Sequence, residues 1–133
     1  MSPTLEEDQW VLIMPPFLHR NRLRRGDVVV LRQLVPPWDW IIKRVIGMPD
    51  ESIALEGGRV YIDDLLALPD PLPAGPDGKV SGRWWNGPDE YFVLGDNPRR
   101  STDSRAFGPV PGERIIGRVW FRIWPPSSWG QVR

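Results

Sequence analysis

The sequence predicts a mostly β fold with few or no helices, and three observations support this prediction. Sixteen prolines and thirteen glycines interrupt the chain so often that few windows could hold a helix of about ten residues. Short runs rich in β-branched and aromatic residues recur between these interruptions. The runs IALE and RVYI flank Gly57-Gly58, a pair that supplies the positive φ angles required by a two-residue hairpin turn.

These runs predict seven strands in chain order. They cover residues 9–14, 27–34, 40–46, 52–56, 59–62, 91–94 and 115–124. The Pro/Gly-rich segment 63–88 interrupts the series and is predicted to be a long surface excursion. Because the chain has 133 residues and shows no internal repeat, residues 1–133 are predicted to form a single domain.

Composition argues against several classes of function. Lys+Arg and Asp+Glu balance at 17 each, so no bulk positive charge indicates a nucleic-acid partner. The absence of cysteine excludes disulfides, thiolate metal sites and cysteine nucleophiles. The single histidine, His19, makes a zinc site or a histidine-based triad hard to assemble and is interpreted as a surface residue. No metal or cofactor is therefore expected, and the oligomeric state is left open.

Lys43 is one of only two lysines and lies in the segment WIIKRVIGMPDES, within the third predicted strand. Alternate residues of a strand share a face, so Lys43 is predicted to point the same way as Ile41 and Val45. If that face is buried, the loss of hydration lowers the pKa of the amine and makes Lys43 a candidate general base. The alternative is an edge lysine whose stem packs while its amine reaches water. The segment alone leaves both interpretations open.

A second polar segment, LGDNPRRSTDSRAFGPVP, begins at the end of the predicted strand YFVL. Gly, Asn, Asp and Ser at this density are typical of a turn, because these side chains hydrogen-bond to their own backbone. The part STDSR also permits a fixed ion pair between Asp103 and Arg105 that presents Ser101 to another group. Both interpretations stay open on the residues alone.

Taken in order, four segments resemble the sequence motifs of the type I signal peptidases. Residues 1–5 match the end of the family's Ser-Met-x-Pro-Thr-Leu motif, and residues 25–30 match its Arg-Gly-Asp-Val-Val-Val strand. Residues 43–49 match Lys-Arg-Val-Ile-Gly-x-Pro, and residues 95–105 match Gly-Asp-Asn-x-x-x-Ser-x-Asp-Ser-Arg. The resemblance covers essentially the whole chain. It implies the fold of that family, in which antiparallel sheets form a partly closed barrel.

The same resemblance implies roles for the residues of the catalytic site. Lys43 matches the general base of a Ser/Lys dyad, the neutral amine that takes the proton of the nucleophilic hydroxyl. Ser101 matches the hydroxyl that orients this lysine, and Asp103 with Arg105 matches a pair that holds the site. The turn that positions the site is matched by Gly95, Asp96 and Asn97.

Substrate contacts are implied in the same way. Met1, Leu5, Ile41 and Ile42 match the walls of small apolar pockets that accept Ala at the first and third positions before the cleavage site. Such pockets exclude larger side chains by overlap. The substrate is expected to lie as an added strand, and the expected partners are the signal peptides of exported preproteins. The arginines within residues 20–25 either meet a membrane lipid surface or form a solvated basic loop.

In this family the nucleophilic serine directly precedes the Met of the first motif, a position that would lie before Met1. Ser2 occupies the variable position of the motif and is not a replacement. The 133 residues are therefore expected to be inactive by themselves. A mis-assigned start or a shortened N-terminus would explain the missing serine. A product with the family's N-terminal anchor is expected on the extracytoplasmic face of the plasma membrane, whereas a chain complete as given is expected in the cytoplasm.

The function implied by the resemblance is that of a serine endopeptidase that removes N-terminal signal peptides after Ala-x-Ala-type sites. An inactive family member that binds extended peptides is the alternative from a different class. A self-cleaving repressor-type Ser/Lys peptidase and a protease dedicated to one maturation step are the remaining alternatives. A repressor-type peptidase would also contain a DNA-binding helix-turn-helix domain, and the sequence shows no pattern typical of one.

Overall fold

The computed structural model of the chain describes residues 10–14, 23–33, 39–68, 70–74, 78, 80–97, 99, 102–124 and 130–131. Strands dominate this part of the chain, together with one four-residue helix and one 3-10 turn. In chain order the elements are β1 (Trp10–Met14), β2 (Val28–Arg32), β3 (Trp40–Gly47), β4 (Ser52–Glu56), β5 (Arg59–Ile62), β6 (Leu65–Leu66), β7 (Gly82–Trp85), β8 (Glu90–Leu94), α1 (Ser104–Phe107), β9 (Val110–Pro111), the 3-10 turn (Gly112–Arg114), β10 (Ile115–Trp124) and β11 (Gly130–Gln131).

The strands form two antiparallel sheets. The larger has seven strands in the order β1-β10-β2-β3-β8-β9, with β11 also paired to β10. The smaller has four strands in the order β6-β5-β4-β7. The loop between β3 and β4 carries the chain from one sheet to the other, so the sheets meet near Gly47.

Central strands of the larger sheet are covered on both faces. In β2 the residues Val28 to Leu31 are all at most 2% exposed, which fits a continuous Val/Leu run rather than an alternating one. Val29 and Leu31 pack into one cluster with Val45 and Val93. Val28 and Val30 pack on the opposite face. Strand β2 therefore separates two apolar layers.

A third apolar cluster joins the two sheets. The larger sheet contributes Ile46, Phe92 and Leu94, and the smaller sheet packs Ile53 and Leu55 against them. The ring centroids of Trp84 and Phe92 lie 4.9 Å apart, so the indole of β7 closes one end of this cluster. This shared core fixes the smaller sheet beside β3 and β8.

All seven predicted strands are confirmed to within two residues at each end. The hairpin at Gly57-Gly58 is also confirmed, since φ is +55° and +82° at these two residues and β4 pairs with β5. Strands β6, β7, β9 and β11 were not predicted. Three of these are only two residues long, and β7 is held by its pairing to β4, which a local pattern cannot reveal.

Two sequence expectations change with these pairings. Strands β6 and β7 lie inside the segment 63–88, which is therefore not a purely irregular excursion. The partly closed barrel is wrong for the described part of the chain, where β1 pairs only with β10 and β9 pairs only with β8. The physical reason is that these edge strands stand at opposite ends of the strand path, and closure requires them to pair with each other.

Candidate active site

Lys43 occupies the middle of β3 and lies directly opposite Val29 of β2. Its neighbours Ile41 and Val45 pack into the cluster around Val29, whereas Ile42 packs on the opposite face of the sheet. The prediction that Lys43 shares a face with Ile41 and Val45 is confirmed by this alternation. The lysine side chain is half-buried at the margin of that apolar layer.

Burial lowers the pKa of the Lys43 amine below its usual value of 10.5. Loss of hydration is the largest cause, because it disfavours the charged form. The carboxylate of Asp103 acts in the opposite direction and raises the pKa, while the guanidinium of Arg105 lowers it again. A larger share of the Lys43 amine is therefore neutral than in a fully hydrated lysine.

Asp103 and Arg105 form an ion pair that is almost completely buried. Arg105 Nε donates to Asp103 Oδ1 at 2.9 Å, and Arg105 Nη2 donates to Asp103 Oδ2 at 3.0 Å. Arg105 Nη1 also donates to the carbonyl oxygen of Pro73 at 3.2 Å. The two residues are 1% and 3% exposed, so the pair is shielded from solvent competition. The sequence allowed either a turn or a fixed ion pair in the segment STDSR. The structure contains the ion pair between Asp103 and Arg105.

Asp103 is also the N-cap of α1, and this helix is tied to β8. Asp103 Oδ1 accepts from the Arg105 backbone N–H at 3.1 Å, the arrangement typical of an N-cap aspartate. Its Oδ2 accepts from the N–H of Gly95 at 3.2 Å. Ser104 Oγ accepts from the N–H of Val93 at 2.9 Å. Since Val93 pairs with Val45 of β3, these bonds hold the ion pair next to the strand that carries Lys43.

A second ion pair lies on the opposite face of β3. Arg44 Nε and Nη2 donate to the two carboxylate oxygens of Asp96 at 3.0 and 2.8 Å. Arg44 Nη1 donates to the carbonyl oxygen of Gly26 at 2.7 Å. Asp96 therefore does more than shape a turn, because it anchors the bend after β8 to β3. Sequence reasoning assigned Arg44 no role, and no local signal could have paired residues so far apart in the chain.

The other predicted site residues divide into three groups. Ile41 and Ile42 are both half-buried and pack on opposite faces of β3. Gly95 and Asn97 lie half-buried in the bend that follows β8. Met1, Leu5 and Ser101 lie outside the described residues, as do Ser2 and His19.

Among the described residues, β3 has an open edge at Trp40 to Ile42, next to Lys43. Strand β2 pairs with β3 from Trp40 to Arg44, whereas β8 pairs with it only from Arg44 onward. For Trp40, Ile41 and Ile42, β2 is thus the only paired strand within the part of the chain described. An edge of this kind can accept an extended peptide as an additional strand.

The described residues offer little to other classes of site. They contain no group of three or more His, Asp or Glu side chains placed to hold a metal ion. No helix among them is long and apolar enough to cross a membrane. A cavity of about 370 Å³ lies on the smaller sheet, with Ser52, Asp64, Arg83 and Trp85 in its lining. It contains none of the predicted catalytic residues.

Comparisons with known proteins find relatives that match most of the chain. A family model described as signal peptidase, peptidase S26 matches residues 1–124. Signal peptidase I of Leptolyngbya laminosa is 37% identical over 145 residues, which cover 99% of this chain and 68% of that protein. Mitochondrial inner membrane protease subunit 1 of Mus musculus is 32% identical over 133 residues, covering 100% of this chain and 69% of that protein. A crystal structure of a signal peptidase I from Enterococcus faecalis matches with a TM-score of 0.53 at 25% identity, over 73% of this chain and 96% of that one.

Proposed function

The chain belongs to the signal peptidase family, peptidase S26, and is by family a serine-type endopeptidase, and on this premise we propose that it removes N-terminal signal peptides by a Ser/Lys dyad. Its substrates are proteins that carry signal peptides, cleaved after Ala-x-Ala-type sites. The observation that supports this proposal most strongly is the half-buried Lys43, whose pKa is lowered and which stands beside the buried Asp103–Arg105 pair.

Lys43 serves as the base in both halves of the reaction. Its neutral amine takes the proton of a serine hydroxyl as the hydroxyl oxygen attacks the scissile carbonyl carbon. The resulting ammonium returns the proton to the leaving amine as the carbon–nitrogen bond breaks, which leaves an acyl ester on the serine. Lys43 then takes a proton from water as the water oxygen attacks the ester, and gives it to the serine oxygen as the carbon–oxygen bond breaks and the acid is released. A lowered lysine pKa helps because more of the amine is neutral at neutral pH.

Support for an extended substrate comes from the edge of β3. A peptide added along Trp40 to Ile42 would form main-chain hydrogen bonds with β3 and would end beside Lys43. Ile41 lies on the lysine face at this edge and can border the pockets for Ala, whereas Ile42 lies on the other face and would contact the second residue before the bond. Ser101 is proposed to orient the Lys43 amine, and Met1 and Leu5 to complete the pockets.

The nucleophile is proposed to be a serine directly before Met1, at the first position of the family motif. The decisive experiment uses a fluorogenic peptide with an Ala-x-Ala site. We expect cleavage by a chain extended upstream to include this serine, and none by the 133 residues alone. Turnover by the shorter chain would show that the serine assignment is wrong. Peptide binding without turnover by both chains would instead establish an inactive peptide-binding protein.

The family match fits a second candidate as well, a protease dedicated to one maturation step. A panel of signal peptides separates the two functions. General processing predicts cleavage of many Ala-x-Ala peptides at similar rates, whereas a dedicated protease would cleave only one or a few of them.

The membrane surface is the proposed working place of the protein. The similar proteins include inner membrane proteases, and a substrate with an apolar signal segment is presented at a bilayer. We propose the extracytoplasmic face, because exported proteins emerge there. Protease protection of a tagged chain in intact and permeabilised cells tests the side: the tag should be digested before permeabilisation.

A further inference from the structure

Trp40 is an exposed aromatic side chain next to the open edge of β3. It is 62% exposed, although it begins a strand that is paired with β2 along its first five residues. Its exposure alone is not unusual, but its place at this edge leaves the indole free to contact a peptide that pairs there. Its cross-strand partner Arg32 is exposed too and does not cover it.

The position of Trp40 relative to Lys43 fixes which part of a bound peptide can reach it. The two residues are three positions apart, which is about 10 Å along an extended strand. A peptide whose scissile bond lies beside Lys43, and whose preceding residues follow the open edge, runs parallel to β3. Its first residue before the bond is then level with Lys43, and its fourth residue before the bond is level with Trp40.

Side-chain alternation points to the same substrate residue. Lys43 and Ile41 project to one face of β3, so Trp40 and Ile42 project to the other. In an added strand in register with β3, the first and third residues face the Lys43 side, while the second and fourth face the Trp40 side. Neighbouring strands lie about 4.7–4.9 Å apart, so a side chain level with Trp40 on the same face is within reach of the indole.

From this geometry we infer that Trp40 is a specificity-determining residue that selects an apolar side chain at the fourth position before the cleavage site. The contact removes apolar area of both partners from water and so favours Leu over Ala or Asp at that position. This inference rests on the proposed function, because it requires a peptide bound as an added strand. It assigns the fourth residue a preference of its own, separate from the small pockets for Ala.

Two variants and two peptide positions test the inference. The serine-extended chain is assayed on Ala-x-Ala peptides with Ala, Leu or Asp at the fourth position, and on a matched set changed at the fifth position, whose side chain faces away from Trp40. We expect Leu to lower KM about tenfold relative to Ala at the fourth position and to change it little at the fifth. Trp40→Ala should abolish the preference, and Trp40→Phe should keep most of it.

Trp85→Ala is the matched control, because Trp85 is 73% exposed on the smaller sheet, in a strand that does not pair with β3. This variant should keep the wild-type preference. Fluorescence anisotropy of labelled peptides with the 133-residue chain should give the same order of affinities without any cleavage.

An unchanged preference in Trp40→Ala would overturn the inference while leaving the proposed function intact. The inference would also be overturned if Trp40→Ala lost binding to phosphatidylglycerol vesicles but kept the peptide preference. Trp40 would then contact lipid rather than the substrate. Failure of the serine-extended chain to cleave any peptide would overturn the proposed function and this inference with it.

Discussion

At the scale of the residue, the proposed chemistry depends on what surrounds one amine. Lys43 is half-buried on an apolar face, and burial is the largest cause of its lowered pKa; the Asp103 carboxylate opposes this effect and the Arg105 guanidinium adds to it. Those two charges are fixed by a bidentate pair and by the N–H of Gly95. The pKa of the proposed base is therefore set in part by groups from the segment after β8.

Replacement of the amine by an apolar side chain of similar shape should abolish activity and change the pH dependence of stability. Lys43→Met removes the base, so the serine-extended chain should lose all measurable cleavage. In the wild type, the folded-state pKa of Lys43 lies below the unfolded value near 10.5, so the unfolded state binds more protons between these values. The free energy of unfolding should therefore rise with pH across that window.

Urea unfolding at several alkaline pH values measures this effect. The stability advantage of Lys43→Met over the wild type should shrink as the pH approaches 10.5. Lys79→Met, at the other lysine of the chain, serves as the control for loss of one positive charge. A constant difference between Lys43→Met and the wild type would contradict a lowered pKa.

Changes to the buried ion pair should shift the activity profile in opposite directions. The Asp103 carboxylate raises the pKa of Lys43, so Asp103→Asn should move the acidic limb of the rate profile to lower pH. The Arg105 guanidinium lowers it, so Arg105→Met should move the limb to higher pH. Each variant leaves one buried charge without its partner and should cost about 3–5 kcal/mol of unfolding free energy.

The opposite signs separate electrostatic tuning from a purely structural role. Loss of folding stability alone would lower the rate of both variants without moving the limb in opposite directions. This comparison uses pH–rate profiles recorded well below the melting temperature of each variant. A shift of the acidic limb in the same direction in both variants would argue against electrostatic tuning.

At the scale of the element, β3 performs two tasks at its two ends. Its first residues pair with β2 alone within the part of the chain described, and the edge they expose is the proposed peptide site. Its last residue, Gly47, lies where the pairing with β8 shifts register and the two sheets pack together. A Cβ at Gly47 would lie 2.7 Å from Ile53 Cδ1 and 2.9 Å from Phe92 Cβ, so glycine is required by packing.

Gly47→Ala should accordingly destabilise the protein by about 1–3 kcal/mol, the usual cost of overpacking a tight core. Thermal unfolding of the variant measures this cost. The double variant Gly47→Ala/Ile53→Val should recover part of it, because valine lacks the Cδ1 atom that meets the new methyl group. Equal stability of the single variant and the wild type would show that the sheets do not approach as closely as the structure has them.

At the scale of the whole molecule, the two sheets are connected by a shared core and by a polar clamp. Arg25 Nη1 and Nη2 donate to the carboxylate of Glu51 at 2.8 and 2.7 Å, and Arg25 Nη1 also donates to the carbonyl oxygen of Ile46 at 2.7 Å. Glu51 also accepts from the N–H of Met48. The clamp thus braces the loop that carries the chain from β3 to β4.

Acid should release this clamp. The hydrogen bonds from Arg25 lower the pKa of Glu51 below its usual 4.5, so the clamp contributes stability above that value and loses it as the pH falls through the lower folded-state pKa. Because the Arg25 side chain is 44% exposed, we expect Glu51→Gln to cost less than about 1 kcal/mol at neutral pH. Urea unfolding should show the wild type and variant converging at acidic pH.

Glu56→Gln is the control, since its partner Arg83 is exposed and that pair lies within the smaller sheet. It should change stability little at either pH. A Glu51→Gln difference that persists unchanged into acid would show that the carboxylate charge is not what holds the loop.

Much of the fold was predictable because strand signals are local. Alternation and turn residues located seven strands, and the Gly57-Gly58 hairpin followed from backbone geometry alone. Strands β6 and β9 were not predicted because two residues are too short to show an alternating pattern. Strand β7 (Gly82–Trp85) was not predicted because it is held by pairing with β4, which is distant in the chain. The open sheets in place of a barrel depend on which edges meet, which is a non-local property.

The sequence by itself determined the mostly β fold, the family and the face on which Lys43 lies, because motif spacing and strand alternation are written along the chain. Only the tertiary structure decided that Asp103 and Arg105 pair in a buried position, that Arg44 bonds Asp96, and that Trp40 stands exposed at an open edge. The burial of the Asp103–Arg105 pair and the exposure of Trp40 depend on what packs around them, and Arg44 and Asp96 lie far apart in the chain. The lowered pKa of Lys43 belongs with them, since desolvation is a property of the packed site and not of the lysine.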